Sequence, residues 1–142
     1  VYIACASIHG NTLKVCEKLK EILEEKGAEK VVLADLSRED WAEAVEDSFR
    51  YGTIVFASAT YDMGIFTPMR DLLLNLKEKN YQNKKVAILE TGTWAPNAGK
   101  CMKDIIATMK NIEIVEPVVT IKSTLKEENI EKLNELAENL LK

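Results

Sequence analysis

Long apolar runs are missing from this sequence. No stretch approaches the roughly 20 consecutive apolar residues of a membrane-spanning helix. Histidine is nearly absent. One residue, His9, excludes a His-rich metal site. Cysteine is scarce and odd in number, with Cys5, Cys16 and Cys101 scattered along the chain. That pattern makes no disulfide framework and suits a reducing compartment, so a cytoplasmic location is expected. A positive excess is also lacking. Lys plus Arg is 19 against 23 Asp plus Glu, a net charge of −4. Nucleic acid is therefore not an expected partner, because the long-range attraction to phosphate backbones is absent. Neither a P-loop nor a dinucleotide G-x-G-x-x-G occurs. With 6 Gly and 3 Pro, the chain has no linker-like or low-complexity tract. It opens at Val1 rather than Met, without a secretory leader pattern, which predicts a native polypeptide that continues upstream.

What remains is 142 residues, 46 % hydrophobic and 30 % charged. This suits one domain, residues 1–142, with a well-buried interior. Residues 1–6 (VYIACA) form a charge-free apolar run, as expected of a strand covered on both faces. Leu13, Cys16, Leu19, Ile22 and Leu23 then recur at helical spacing, with Gly27 as a stop. Val31 to Leu33 mark a second strand. Trp41, Ala44, Val45, Ser48 and Phe49 form a second helical stripe that predicts Trp41 in the core. Residues 53–58 (TIVFAS) are a third strand, followed by a loop to Thr67. Thr67 caps a helix with Pro68 in its first turn and Met69, Leu72, Leu73 and Leu76 buried. Residues 80–85 read as polar connection, 86–89 (VAIL) as a fourth strand and 90–99 as a loop. Met102, Ile105, Ile106 and Met109 mark the fourth helix. Residues 112–121 form a fifth strand whose Pro117 implies an edge or a bend, and Ile130 to Leu140 a closing helix. Five strands alternating with five helices predict an α/β three-layer sandwich, a parallel sheet with helices on both faces.

Ligands of such sheets bind beyond the carboxyl ends of the strands. Three predicted loops lie there. Residues 7–12 (SIHGNT) are small and polar and lead into a helix. The loop is either an anion cradle of helix N–H groups, with Ser7, Asn11 and Thr12 adding side-chain bonds, or an ordinary turn capped by Thr12. Residues 58–66 (SATYDMGIF) carry Tyr61 as a ligand contact, while Ile65 and Phe66 are expected to fold back on the core. Residues 91–97 (TGTWAPN) present Trp94, which either stacks on a flat ring or caps the sheet edge. One cradle and two ring-bearing loops at one edge suggest a planar aromatic ligand carrying a phosphate. Cys5 and Cys16 are expected to be packing residues, and no cysteine is assigned as catalytic.

SIHGNT resembles the phosphate loop of flavodoxins. SATYDMGIFTPM and the Gly-x-Trp stretch are similar to one branch, the flavodoxin domain of flavodiiron proteins (A-type flavoproteins), over essentially the whole chain. The resemblance implies a flavodoxin-like fold, strand order 2-1-3-4-5, and non-covalent FMN. It implies that Ser7, His9, Gly10, Asn11 and Thr12 hold the phosphate. Ser58, Thr60, Tyr61, Asp62 and Gly64 would line the ring, and Thr91, Gly92, Thr93 and Trp94 would form the second wall. The chain departs from the family at Ala59, where Pro is usual, at Asp62-Met63, where Asn-Gly is common, and at residues 93–96. These changes alter the ring environment more than the phosphate cradle.

The implied function is electron transfer, with no catalytic acid, base, nucleophile or metal ligand in these residues. The acceptor would be a redox partner protein or a fused diiron domain of metallo-β-lactamase type that reduces oxygen or nitric oxide. Asp62 and the net negative charge predict a disfavoured second reduction, and Gly64 gives backbone freedom beside the ring. His9 is either a redox-linked proton acceptor or a turn residue over the phosphate. Three alternatives stand beside this reading. One is a free-standing flavodoxin, and another is a scaffold that has lost flavin. The third, a phospho-receiver domain, needs acidic residues where Ser7 and Ser58 stand.

Overall fold

The computed structural model describes residues 1–62, 64–92 and 96–142. Its central sheet begins with β1 (Tyr2–Ala6), every residue of which is buried. Parallel neighbours are β2 (Val32–Asp35) on one side and β3 (Thr53–Tyr61) on the other. β4 (Gly64–Ile65) is a two-residue strand that folds back antiparallel on the end of β3. β5 (Gln82–Gly92) lies beside β3, and β6 (Lys110–Lys122) closes the sheet. The order is β2-β1-β3-β5-β6, with β4 off the path. Counting the long parallel strands alone, this is the expected 2-1-3-4-5.

The helices are α1 (Asn11–Glu25), α2 (Trp41–Arg50), α3 (Thr67–Glu78), α4 (Ala98–Ile106) and α5 (Glu127–Leu140). Strand alternation divides the apolar residues between two cores. Ile3, Cys5, Val55, Ala57, Ala87 and Leu89 pack with Leu19, Leu23, Leu133 and Leu140 of α1 and α5. Tyr2, Ala4, Ile54, Phe56, Val86 and Ile88 pack on the other side, with Met69, Leu72 and Leu73 of α3 and Met102 of α4. Covering both faces is what makes β1 read as an uninterrupted apolar run. Each fully buried Leu or Ile contributes about 1.5–3 kcal/mol.

Several expectations are corrected. Trp41 is 43 % exposed rather than core. The buried face of α2 is centred on Ala44 and Ser48, which leaves Trp41 in the first turn beside Asp71 and Leu74 of α3. Asp40 caps this helix, its side chain accepting the Ala42 N–H at 2.9 Å. Thr67 is inside α3, and Phe66 occupies the capping position without a side-chain bond. β3 runs three residues past Ser58 and turns through Asp62, whose φ of 48° lies in the left-handed region that Asp tolerates. Residues 82–85 are strand rather than connection, and β5 continues through Gly92. Pro117 marks both an edge and a bend. β6 is the last strand, and its register slips between Ala87↔Val115 and Leu89↔Val119.

Candidate functional site

The carboxyl ends of β1, β3 and β5 meet the start of α1 in a cleft of about 150 Å³. Its first wall is the β1–α1 loop, where Ser7, His9, Asn11 and Thr12 all line the cleft. The loop is shaped by two local features. The Ser7 Oγ accepts the Gly10 N–H at 2.9 Å. Gly10 itself sits at φ 86°, in the left-handed region open to glycine, and takes the N-cap position of α1. The cap is therefore Gly10, and Thr12 lies inside the first turn. The first i→i−4 bond of α1 runs from the Lys14 N–H to the Gly10 carbonyl, so the N–H groups of Asn11, Thr12 and Leu13 precede any helical acceptor. They stand at the positive end of the helix.

The opposite wall comes from β3 and β5. Thr12 is 1 % exposed, and its hydroxyl pairs with that of Thr91 at 2.7 Å. This bond ties α1 to the end of β5. Thr60, Thr91 and Gly92 line the cleft, as do Ile8, Ala59 and Ser123. A Cβ on Gly92 would lie 3.3 Å from both Thr60 Oγ1 and Pro96 Cγ, so the backbone approaches its neighbours closely there. Among the described residues, no Lys, Arg, Asp or Glu lines the cleft. Lys14 stands in an adjoining hollow that shares Asn11, Thr91 and Ser123. The donor set is thus main-chain N–H, hydroxyl and amide. This chemistry holds a phosphate without a neutralising cation, and a phosphorylated ligand fits these residues.

The remaining candidates fall elsewhere. Ser58 is fully buried, donating to the Ala59 carbonyl at 2.9 Å and accepting the Phe66 N–H at 3.2 Å. It supports the β3–β4 hairpin from beneath. Tyr61, Asp62 and Gly64 line a second cleft of about 490 Å³ toward α3 and α4. Tyr61 is 53 % exposed and rests obliquely on Phe66, ring centroids 5.6 Å apart. Ile65 is buried, and Phe66 packs on the α3 core. Thr93 and Trp94, with Met63, lie outside the described residues.

Two residues, Ser123 and Glu90, and one further role of Thr60 escaped the sequence reading. Ser123 reaches the cleft because β6 ends there, and its N–H donates to the Gly92 carbonyl at 3.3 Å. Its only signal was its place after the last strand. Thr60 accepts the N–H groups of Asn97 and Ala98 at 3.2 and 3.3 Å, capping α4 from across the sheet. Glu90, the one acidic residue of β5, is 6 % exposed. Burial raises its carboxyl above the usual range, opposed by the Gly99 N–H and the Thr120 hydroxyl. Cys5 and Cys16 are fully buried. The neighbouring Cys5 and burial raise the Cys16 thiol well above its ordinary value, so it makes a poor nucleophile.

Comparison with solved structures matches the whole of this architecture. Rubredoxin oxygen:oxidoreductase from the anaerobe Desulfovibrio gigas superposes with a TM-score of 0.90 at 19 % identity, over 98 % of this chain and 34 % of that one. An archaeal flavodoxin matches at 0.81 and 18 %, over 99 % of both chains. The chain has the flavodoxin-like fold. The flavodiiron protein of Giardia intestinalis matches at 0.76 and 16 %, over 99 % of this chain and 35 % of that one. The chain therefore spans about a third of the length of the two longer proteins. No family model and no curated protein matches it. Among the described residues of this flavodoxin-like chain, no helix is long and apolar enough to cross a membrane. None of them form a group of three or more potential metal ligands either.

Proposed function

We propose that residues 1–142 form an FMN-binding electron-transfer domain that relays electrons to the diiron site of a flavodiiron reductase of oxygen or nitric oxide. The observation that carries the reading is the cradle of N–H and hydroxyl groups, without Lys or Arg among the described residues, where β1 meets α1. Ser7 shapes the loop, Gly10 permits its turn, and the first-turn N–H groups with Asn11 and Thr12 would bind the phosphate. His9 rims the same cleft and serves as a turn residue over the phosphate. Thr60, Thr91 and Gly92 would flank the cofactor beyond the phosphate, with Tyr61, Asp62 and Gly64 on the hairpin and Thr93 and Trp94 on the β5–α4 connection as ring walls. Bound flavin would supply one- and two-electron transfer. The protein's part is to orient the group, exclude water from one side and fix the charge around it. The Thr12–Thr91 bond holds the two walls at one separation.

The likeness to flavodiiron proteins and the matching residues 58–69 favour the fused arrangement, in which a diiron domain in the same polypeptide accepts the electrons. A second reading, a free-standing carrier serving separate redox partners, is favoured by the end-to-end match to the archaeal flavodoxin. The coding sequence flanking residues 1–142 separates the two. Binding is tested by titrating FMN with the apoprotein while following flavin fluorescence. Quenching that saturates at one flavin per chain is expected. Unquenched flavin at high micromolar protein would refute the assignment.

A further inference from the structure

Two carboxylates are buried among the described residues, and they are treated differently. Asp47 is paired with Arg50 at 3.0 Å. Glu90 makes no ion pair among the described residues, and its Oε1 has no partner. The Gly99 N–H and the Thr120 hydroxyl lie against the same carboxyl. A Cβ on Gly99 would overlap Glu90 Oε2 and come within 2.8 Å of Cδ. The carboxyl therefore occupies a notch that only glycine leaves open, beneath the first turn of α4. Asn97, the N-cap residue of that helix, gives it no side-chain cap. The helix start is held instead from two strands, by Thr60 of β3 through Asn97 and Ala98 and by Glu90 of β5 at Gly99. A negative group at this end also complements the helix dipole. Burying a half-partnered carboxylate costs stability that an apolar side chain of similar size would not. Stability alone is thus a poor account of it. Its chain neighbours Thr91 and Gly92, with Thr60, line the ligand cleft.

We propose that Glu90 is a positioning residue for the ligand. Wedged under Gly99, its carboxyl fixes the start of α4, whose Asn97 and Ala98 N–H groups bond Thr60, and so sets the wall formed by Thr60, Thr91 and Gly92. The identity of the ligand rests on the flavin reading above; the pinning of α4 does not.

The test compares Glu90→Gln, Glu90→Ala, Gly99→Ala and the double variant Glu90→Ala/Gly99→Ala. Flavin affinity is read by FMN fluorescence, and amide exchange at Asn97, Ala98 and Gly99 is read in the flavin-free chain. Glu90→Ala should weaken FMN about tenfold or more, whereas Glu90→Gln, which keeps an acceptor oxygen, should stay within about threefold. Gly99→Ala should match Glu90→Ala by displacing the carboxyl. The double variant should bind no more weakly than the weaker single variant, because both changes break one contact. Wild-type affinity in Glu90→Ala, or single effects that simply add, would overturn the proposal. So would unchanged exchange at Ala98 and Gly99 in flavin-free Glu90→Ala, without reference to any ligand. If exchange responds but the wild-type chain ignores FMN, the flavin reading fails, and with it the assignment of Glu90 to that ligand.

Discussion

The middle of the sheet and its carboxyl-terminal edge are built by the same strands from opposite materials. Ala4 and Cys5 of β1, Phe56 and Ala57 of β3, and Ile88 and Leu89 of β5 are fully buried. Two to four residues further along the chain stand Ser7, just past β1, Thr60 of β3 and Thr91 of β5, whose hydroxyls form hydrogen bonds at the edge or line the cleft. The middle is held by apolar area and has no directional requirement beyond packing. The edge is held by a few short hydrogen bonds and by backbone shapes that particular residues permit, namely Gly10, Asp62 and Ser123 at positive φ. Damage to the middle should therefore appear as lost stability, and damage to the edge as lost binding.

The largest expected effect is in the middle. Leu73 is fully buried against β1 and β3. Leu73→Ala should cost about 2–5 kcal/mol in urea unfolding while the folded fraction keeps its FMN affinity. A parallel loss of affinity would erase the distinction between the two regions. At the edge, Gly10→Ala meets no atom within 4 Å, so its cost is conformational, at φ 86°. A loss of about 1–2 kcal/mol in unfolding is expected, together with weaker FMN binding. Unchanged affinity would remove Gly10 from the cradle. Glu90 gives a smaller, pH-dependent effect. Its carboxyl is raised in the folded chain, so the folded state binds more protons than the unfolded one. The stability it confers is present below the ordinary carboxyl range and is lost as pH rises through the raised value. Urea midpoints of wild type against Glu90→Gln should therefore diverge upward from that range in favour of Gln, and parallel curves would contradict the shift. Smallest in stability is Gly64→Ala. The nearest atom to an added Cβ is the Tyr61 carbonyl oxygen at 3.9 Å, and unfolding should change by less than about 0.5 kcal/mol. A redox titration of the flavin-loaded variant should nonetheless bring the two one-electron potentials closer together. An unaltered separation would strip Gly64 of any part in the flavin's environment.

The division also explains what was legible in the residues. Where a strand is covered on both faces, as in residues 2–6 and 54–57, composition alone betrays it. Strand ends beyond the helical cover are polar, so Gln82 to Lys85 read as connection although they pair with β3 or β6. The β3–β4 hairpin is two residues deep, too short for any alternation to show. Trp41 followed the helical spacing of its neighbours, but spacing does not say how far a stripe extends beyond the sheet it covers. At the edge, the β1–α1 loop was readable because small polar residues before a helix have few other uses. Ser123 and Glu90 were not, since their roles depend on partners in other elements, Gly92 of β5 for one and Gly99 of α4 for the other.

The central claim is that a cradle of N–H, hydroxyl and amide groups at the start of α1 recognises the phosphate of a flavin. Parallel titrations with FMN and riboflavin, which differ only in that phosphate, test it most directly. The account predicts that FMN binds at least about tenfold more tightly, as expected if one or more charge-assisted hydrogen bonds are lost with the phosphate. Equal affinities for the two flavins would contradict it.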